Sequence, residues 1–275
     1  MTPGSKTPPR SYLFVPGNRP ERFEKALGSG ADAVIVDLED AVPPEGKAEA
    51  RAAVARWLAP QRPVLIRING ADTPWFAEDL ALCAQAGVAG VMVPKAERVA
   101  DLQRVATVAA GGAVLPLIET AAGFENLRAL AGAESVQRLV FGSIDFQLDL
   151  GILDDELTAF RSQLVLVSRT ANLVAPVDGV CTAIDDTEQL QRDTTRARRL
   201  GFGAKLCIHP RQVETVNQGF VPSEAELAWA RRVLAAAAQA RGAAVALDGK
   251  MIDRPVILRA QAIVDEAEAR LQGSK

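Results

Sequence analysis

The chain has 275 residues, a formal net charge of −3 and 48% hydrophobic residues, values typical of one large globular domain or of a barrel with a small appendage. Its slight negative charge, with Arg and Lys scattered singly, argues against binding to nucleic acid or to an anionic membrane surface. Its apolar runs are far shorter than the roughly 20 residues of a membrane-spanning helix. We therefore expect a cytoplasmic protein with no nucleic-acid and no membrane partner.

Cysteine and histidine are scarce in this sequence. Cys83, Cys181 and Cys207 are widely spaced in apolar surroundings and form no C-x-x-C or Cys/His cluster. This pattern argues against a zinc site and against a disulfide framework, and reduced core thiols are expected. His209 is the single histidine, so any Ser-His-Asp or Cys-His mechanism would have to use it. Its place before Pro210 is more typical of a histidine that is hydrogen-bonded at a strand end.

Short apolar segments alternate with helical patterns after a polar N-terminus, 1–9, which we expect to be a loose tail. The predicted strands are 11–15, 33–38, 63–68, 90–93, 114–118, 138–141, 177–184 and 204–208. About eight β-then-α units predict parallel strands with right-handed connections, which close into a (β/α)8 TIM barrel over 10–220. A doubly wound sheet is the alternative, but no G-x-G-x-x-G follows the first strand.

The remaining segment, 221–275, is predicted to be a C-terminal helical lid. Ser223 followed by Glu226 indicates a helix start, 243–251 resembles a short hairpin, and 256–271 has a second helical pattern. So short a segment buries too little apolar surface to fold by itself. We expect it to pack on the barrel or on a neighbouring subunit.

Charged side chains collect where the predicted barrel strands end, which is the active-site face of this fold. They are Glu39, Asp40, Arg67, Lys95, Glu119, Asp145 and His209. Carboxylates close to an apolar barrel axis need basic partners or a cation. Glu119 and Asp145 follow adjacent strands and could share one Mg²⁺, which binds one or two carboxylates, waters and substrate oxygens. Arg67 could then hold the carboxylate of a 2-oxo acid chelated by the metal.

Structural roles are the alternatives for the same residues. Glu119 and Asp145 could form ion pairs at the rim or cap helices, and Arg67 could simply pair with Glu39 or Asp40. These alternatives are about as well supported by spacing alone as the metal site.

Further candidates also have ordinary explanations. Lys95 could form a Schiff base, although the acidic surroundings favour an ion pair. Phe14 would by default be core, and Arg19 and Lys25 a solvated helix face. Asp253 would by default be a helix-entry residue.

Several motifs resemble the citrate lyase beta-subunit and malyl-CoA lyase family. They cover most of the chain and are Arg10–Pro20 (RSYLFVPGNRP), Asp37–Val42 (DLEDAV), Arg67-Ile68-Asn69, Val93-Pro94-Lys95, Ile118-Glu119-Thr120, Asp145-Phe146, Asp149-Leu150-Gly151 and Gly249–Pro255 (GKMIDRP). Arg254 departs from the residue type expected in the last of these.

The resemblance implies a (β/α)8 barrel with a C-terminal lid, assembled as trimers or hexamers. It implies Mg²⁺-dependent chemistry that makes or breaks a C–C bond between a 2-oxo acid and an acyl-CoA enolate. By the same resemblance, Glu119 and Asp145 are the metal carboxylates and Arg67 binds the oxo acid. Glu39 and Asp40 match the acidic pair that orders the waters of the metal.

Two further roles are implied by the resemblance. Phe14, Arg19 and Lys25 match positions that hold the nucleotide and phosphates of CoA. Asp253 matches a tail aspartate that reaches into a neighbour's site as the acid/base on the acyl-CoA carbon. A related aldolase branch uses a His–Arg pair, but the second strand here carries no histidine.

The function expected from this resemblance is cleavage of a 3-hydroxy-3-carboxyacyl-CoA, such as malyl-, citramalyl- or citryl-CoA, to acyl-CoA and a 2-oxo acid. Two alternatives remain open. One is a subunit of a citrate lyase complex that acts on an acyl-carrier thioester. The other is a CoA-independent 2-oxo acid aldolase.

Overall fold

A closed barrel of eight parallel strands forms the centre of the computed structural model, which describes residues 7–109, 111–153, 156–239 and 245–273. The strands pair in sequence order and β1 pairs with β8, for example Tyr12 with Leu206. The strands are β1 Ser11–Pro16, β2 Ala33–Asp37, β3 Val64–Arg67, β4 Val88–Val93, β5 Ala113–Ile118, β6 Val140–Phe141, β7 Val177–Asp178 and β8 Ala204–Cys207. The predicted (β/α)8 barrel is confirmed.

Helices follow the strands and surround the barrel. They are α1 Phe23–Leu27, α2 Lys47–Trp57, α3 Phe76–Leu82, α4 Val99–Val108, α5 Ala121–Glu125, α6 Leu127–Ala131, α7 Ser143–Leu150, α8 Thr158–Thr170, α9 Thr187–Leu200 and α10 Val213–Gly219. Short 3-10 helices, each with proline in its first turn, lie at Pro20–Arg22, Pro44–Gly46 and Pro210–Gln212.

Strand alternation divides the buried residues into two layers. Side chains such as Ile35, Leu65 and Leu115 fill the barrel interior, whereas Val114 and Ile118 join the larger core between strands and helices. Every residue of β5 is buried, as expected for a strand covered on both faces. The same period of two directs towards the barrel axis the residue that lies two positions beyond a strand's last inward core residue.

Strands β6 and β7 are shorter than the sequence pattern predicts. Each has only two residues, against the predicted 138–141 and 177–184. Directly after β7, the backbone carbonyl of Gly179 accepts a side-chain hydrogen bond from Lys205 Nζ at 2.7 Å. The same ammonium group donates to the Asp178 carboxylate at 3.0 Å. Arg161 also pairs with Asp178, at 2.9 Å. Hydrophobic patterning detects the apolar run of β7. It does not detect the buried ion pairs of Asp178 with Lys205 and Arg161, at which this strand ends.

The chain divides into two compact units, with the second beginning at Val221. This second unit contains α11 Glu224–Gln239, a hairpin of β9 Val245–Leu247 and β10 Lys250–Ile252, and α12 Arg254–Gly273. The predicted capping box is present, since Ser223 N donates to Glu226 at 2.8 Å and Glu226 N to Ser223 Oγ at 3.2 Å.

Two local features stabilise the second unit, the backbone conformation of its hairpin turn and a small buried cluster. Asp248 and Gly249 both have positive φ, 52° and 73°, as the tight two-residue turn requires. Ala230, Val233, Ile252 and Ala260 form a small buried cluster within this unit. The predicted hairpin and helices are thus confirmed, apart from residues 243–244. Those two, and most of the expected loose tail 1–9, lie outside the described residues.

No helix of the described residues combines the length and the apolar character needed to cross a membrane.

Candidate active site

Glu119 lies at the carboxyl end of β5 and points into the barrel. It continues the inward series Leu115, Leu117, and its side chain is only 3% exposed. Its Oε1 accepts the backbone N–H of Lys95 at 2.8 Å. A Cβ added to Gly142 would lie 2.6 Å from Glu119 Oε2, so the glycine leaves a gap that the carboxylate occupies.

Lys95 contributes its backbone rather than its side chain. Its φ of +45° is unusual for a residue with a Cβ, and this conformation accompanies the N–H donation to Glu119. The side chain is exposed and forms no ion pair with any described residue. The ion pair that the sequence favoured for Lys95 is therefore not found.

Asp145 lies in the first turn of α7, directly after β6. The N-cap of this helix is Gly142, and no side chain caps it, so the helix-cap alternative for Asp145 is not observed. The Asp145 carboxylate has no hydrogen bond or ion pair to the described part of the chain. Asp145 and Glu119 line one cavity of about 460 Å³ at the carboxyl ends of the strands. The two carboxylates expected to share a cation therefore face the same cavity.

Arg67, at the end of β3, also lines this cavity. Its Nε and Nη2 donate to the two carboxylate oxygens of Asp37 at 2.7 and 2.6 Å. Its Nη1 lies 2.9 Å from Glu39 Oε2 and 3.6 Å from Asp40 Oδ2. The predicted pairing with these two acids is present, and Asp37 is a third carboxylate partner of the same guanidinium.

Asp37 was missed by the sequence-based reasoning. It is 1% exposed and accepts the amides of Glu39 at 2.9 Å and Ala41 at 3.2 Å in addition to Arg67. The signal that could have identified it is register: Asp37 and Arg67 are the last paired residues of adjacent strands. Because both side chains point inward at the same level, a carboxylate–guanidinium pair follows.

The site holds more negative charge than its arginine neutralises. Burial, reinforced by the charges of Glu39 and Asp145, raises the pKa of Glu119 to about 8 despite the Lys95 amide. Burial also raises the pKa of Glu39 to about 7, with Arg67 opposing and Asp40 and Asp37 reinforcing the shift. Glu39 Oε2 has no hydrogen-bond partner within the described residues, although Arg67 is close. A cation in the cavity would relieve this excess charge.

The donor set fits a hard divalent cation held by few protein ligands. The described residues contain no cluster of three or more His, Cys, Asp and Glu side chains suited to a metal. Two carboxylates facing an open cavity are instead the pattern of Mg²⁺, which keeps several water or substrate oxygens. The Asp145 carboxylate, which has no hydrogen bond or ion pair to the described residues, matches this requirement.

A second cavity, of about 560 Å³, adjoins the first. Both are lined by Phe14, Pro16 and Ile208, and the second also by Arg22, Lys25, His209 and Arg211. Phe14 is only partly buried, and its ring lies 4.8 Å from the Arg67 guanidinium carbon. Lys25 thus lies in a basic groove beside the site, together with two arginines that the sequence reasoning did not select.

Arg19 lies on the turn before the first 3-10 helix. Its half-exposed side chain pairs with Glu21 at 2.6 Å, and it does not line either cavity. Of the three residues expected to hold CoA, the structure therefore brings Phe14 and Lys25 to one groove and leaves Arg19 outside it.

Asp253 is exposed and lies in the second unit, immediately before α12. Its Oδ1 accepts the Val256 amide at 3.2 Å, so it caps the helix as its sequence position suggested. The acid/base role on a neighbouring subunit stays a prediction.

The histidine and the cysteines have structural roles. His209 Nδ1 accepts the Arg211 amide at 3.2 Å and so caps the following 3-10 helix. The three cysteines are buried and unpaired, as predicted, and burial raises the pKa of Cys83 and Cys207 to about 12. None of them is a reactive thiolate at neutral pH.

Residues 10–210 match the model of a family described as HpcH/HpaI aldolase/citrate lyase. The chain belongs to this family. The predicted resemblance to citrate lyase beta-type enzymes is confirmed, and the chain is a member of a family of lyases and aldolases.

Relatives within the family match almost the whole chain. A citrate lyase subunit beta-like protein of Deinococcus radiodurans is 39% identical over 93% of this chain and 96% of its own. A (3S)-malyl-CoA thioesterase of Cereibacter sphaeroides is 36% identical over 95% of both. CitE of Mycobacterium tuberculosis, crystallised with magnesium, acetoacetate and coenzyme A, has a TM-score of 0.86 and 34% identity, covering 98% of this chain and 100% of CitE.

Proposed function

We propose that this protein is a Mg²⁺-dependent carbon–carbon lyase. Its substrate would be a 3-hydroxy-3-carboxyacyl-CoA, such as malyl-, citramalyl- or citryl-CoA, which it cleaves to acyl-CoA and a 2-oxo acid or forms by the reverse condensation. The observation that carries the proposal is that two carboxylates, Glu119 and Asp145, line one cavity together with the guanidinium of Arg67. The crystallised CitE complex with magnesium, acetoacetate and coenzyme A supports it.

Different barrel residues would bind the metal ion, its waters and the oxo acid. Glu119 and Asp145 would hold Mg²⁺, and Glu39 and Asp40 would order its waters by accepting hydrogen bonds from them. The bound ion would supply stabilisation of the negative charge that develops on the oxo-acid oxygen. Arg67, whose Nε and Nη2 are held by Asp37, would bind the carboxylate of the oxo acid.

Bond cleavage needs one proton to leave and one to arrive. The substrate's 3-hydroxyl would give its proton to a water in the cavity, the C2–C3 bond would break, and the electron pair of that bond would pass to the thioester as an enolate. Asp253 from a neighbouring subunit would protonate C2 of that enolate to give the acyl-CoA. Since the other oxygen of Asp253 is not used in the helix cap, capping leaves it able to carry the proton.

The basic groove beside the site is where we place the CoA part of the substrate. Lys25, Arg22 and Arg211 border it, and their positive charges suit the phosphates of CoA. Phe14 lies between the two cavities and could contact the thioester arm. Arg19 would join this set only by exchanging its ion pair with Glu21 for a phosphate. A homotrimer or hexamer in the cytoplasm is part of the same proposal.

Thioester hydrolysis is a second candidate, because a relative of similar identity is named a (3S)-malyl-CoA thioesterase. The two reactions differ in products: the lyase gives acyl-CoA and a 2-oxo acid, whereas hydrolysis gives free CoA and a hydroxy acid with two or, from citryl-CoA, three carboxyl groups. Incubation with malyl-, citramalyl- and citryl-CoA and Mg²⁺, followed by chromatography of all products, separates them. The same panel with free hydroxy acids, and with acyl-carrier thioesters, tests the CoA-independent aldolase and the citrate lyase subunit.

The matched variants are Glu119→Gln and Glu125→Gln. The first removes a carboxylate that faces the cavity, and the second an exposed glutamate, the last residue of α5, which does not line it. We expect Glu119→Gln to lose Mg²⁺-dependent cleavage and Glu125→Gln to keep it. Full Mg²⁺-dependent activity in Glu119→Gln would overturn the metal assignment.

A further inference from the structure

Lys47 is a buried cation that the proposed chemistry does not use. It is the first residue of α2 and is 5% exposed, yet it forms no ion pair with any residue that the structure describes. Its Nζ instead donates to two backbone carbonyls, Leu38 O at 2.8 Å and Glu39 O at 2.7 Å. Burying an ammonium group without a carboxylate partner is costly, so its position needs a reason.

Both carbonyls belong to the acidic turn, which we define as Asp37, Leu38, Glu39 and Asp40. The amides of this region are held on the other side, because the Asp37 carboxylate accepts the N–H groups of Glu39 and Ala41. Lys47 thus completes the fixation of a turn whose amides and carbonyls are both bound by side chains. The Cα position of Glu39, and hence the reach of its carboxylate to Arg67, follows from that fixation.

The same support extends to the end of β3. Asn69 Nδ2 donates to Leu38 O at 3.0 Å and to Asp79 Oδ2 at 2.6 Å, and the Asn69 amide also donates to Asp79. Asp79 is fully buried and accepts Arg51 Nη1 at 2.6 Å. Lys47 and Arg51 are one turn apart on α2, so this helix supports both the acidic turn and the segment after Arg67.

We propose that Lys47 is a positioning residue that holds the acidic turn in the geometry required for binding Mg²⁺ together with the oxo acid. Lys47 itself contacts neither ligand. It acts through Glu39 and Asp40, which would otherwise follow the motion of an unsupported turn. The inference rests on the proposed function, since it concerns the same site.

The test measures ligand binding by the intact protein rather than turnover. Titration calorimetry gives the affinity for Mg²⁺ in the presence of pyruvate, and thermal unfolding gives stability. Lys47→Met retains the length of the side chain and removes its donors; we expect affinity to fall about tenfold or more, as for other residues that support metal ligands. Lys47→Arg restores a charged donor and should recover part of the loss.

The matched control is Lys205→Met. Lys205 is the other buried lysine of the described residues, and its contacts are Asp178 and Gly179 rather than the acidic turn. We expect it to lose stability and to keep wild-type affinity. If Lys47→Met does not fold, Lys47→Gln, which keeps an uncharged donor, is measured in its place against the same tenfold expectation.

The outcomes distinguish the two proposals. Wild-type affinity in Lys47→Met, or in Lys47→Gln where that variant replaces it, would overturn the positioning role even if stability falls. An equal loss of affinity in Lys205→Met would overturn it too, because the effect would then be one of general destabilisation. Failure of the wild-type protein to bind Mg²⁺ with pyruvate would overturn the proposed function and this inference with it.

Discussion

Gly142 and Glu119 are packed so closely that no side chain can stand between them. A Cβ on Gly142 would lie 2.5 Å from Glu119 Cβ and 2.6 Å from its Oε2, both well inside contact distance. The glycine lies between β6 and α7, the helix that carries Asp145. The residue that allows Glu119 to occupy its position is therefore also the N-cap of the helix that carries Asp145, its proposed co-ligand.

Gly142→Ala is expected to displace the Glu119 carboxylate and weaken Mg²⁺ binding by about tenfold or more, with a parallel loss of activity. The control is Gly132→Ala at the end of α6, where an added Cβ meets only ordinary contacts at 3.5 and 3.7 Å. Calorimetry of Mg²⁺ binding and an activity assay check both variants. Unchanged binding in Gly142→Ala would show that the carboxylate does not depend on this gap.

The raised pKa values predict a linkage between pH, Mg²⁺ and stability. The pKa of Glu119 is about 8 in the folded protein, whereas the ordinary value for a glutamate side chain, which applies to the unfolded chain, is 4.5. Between these values the fold keeps a proton that the unfolded chain has lost, so the metal-free fold loses stability as pH rises through this window. Glu39, with a pKa of about 7, acts in the same direction.

Because Mg²⁺ binds the ionised carboxylate, its stabilising effect should grow over the same window. We expect Tm to fall from about pH 5 to about pH 8 in EDTA, and added Mg²⁺ to restore it mainly at the upper end. In Glu119→Gln the fall should be shallower and the response to Mg²⁺ should disappear. A Mg²⁺-induced shift of equal size at both ends of the range would contradict the linkage.

Arg67→Lys should weaken binding of the 2-oxo acid about tenfold or more, because an ammonium cannot keep both Asp37 contacts and still present a donor edge. Pyruvate affinity in the presence of Mg²⁺ is the measurement. Arg62→Lys is the control, since Arg62 likewise pairs with a carboxylate, Glu24, and lies 4.9 Å from the ring of Trp57, but does so outside the site. Equal affinity losses in the two variants would refute the specific role of Arg67.

Subunit mixing tests Asp253. Asp253→Asn and Glu119→Gln should each be inactive alone, and Asn preserves the helix cap of α12. If Asp253 acts in a neighbour's site, co-assembly of the two variants places some intact barrels beside intact tails. We expect a measurable fraction of wild-type activity to return.

The control replaces Glu119→Gln by the double variant Glu119→Gln/Asp253→Asn, which offers no intact tail and should restore nothing. Absence of recovery in the first mixture, with mixed oligomers verified by mass spectrometry, would exclude action in trans.

Much of the fold follows from sequence because its signals are local. Short apolar runs alternating with helical patterns determine the barrel, and inward alternation along β5 directs Glu119 to the axis. The pairing of Arg67 with Asp37 could also have been read from adjacent strand ends. The short β7 could not, because a long-range hydrogen bond from Lys205 ends it.

Other parts of the site depend on backbone geometry and on distant contacts. The left-handed conformation of Lys95 and the use of its N–H leave no compositional sign. The sequence drew attention to its ammonium group, whereas the structure uses its amide. Likewise, the support of the acidic turn by Lys47 depends on the orientation of α2, which begins nine residues after Leu38 and directs the Lys47 side chain to its carbonyl.

The extent of backbone pairing between neighbouring strands varies around the barrel. Among the described strands, β1 and β2 register five residue pairs, whereas β6 and β7 register one, Val140 with Val177. With so few ladder hydrogen bonds, backbone amides at this junction are the ones to exchange with deuterium earliest. Since β6 leads directly into α7, the helix that carries Asp145, we expect ligand binding to slow exchange more at the β6–β7 junction than elsewhere in the barrel.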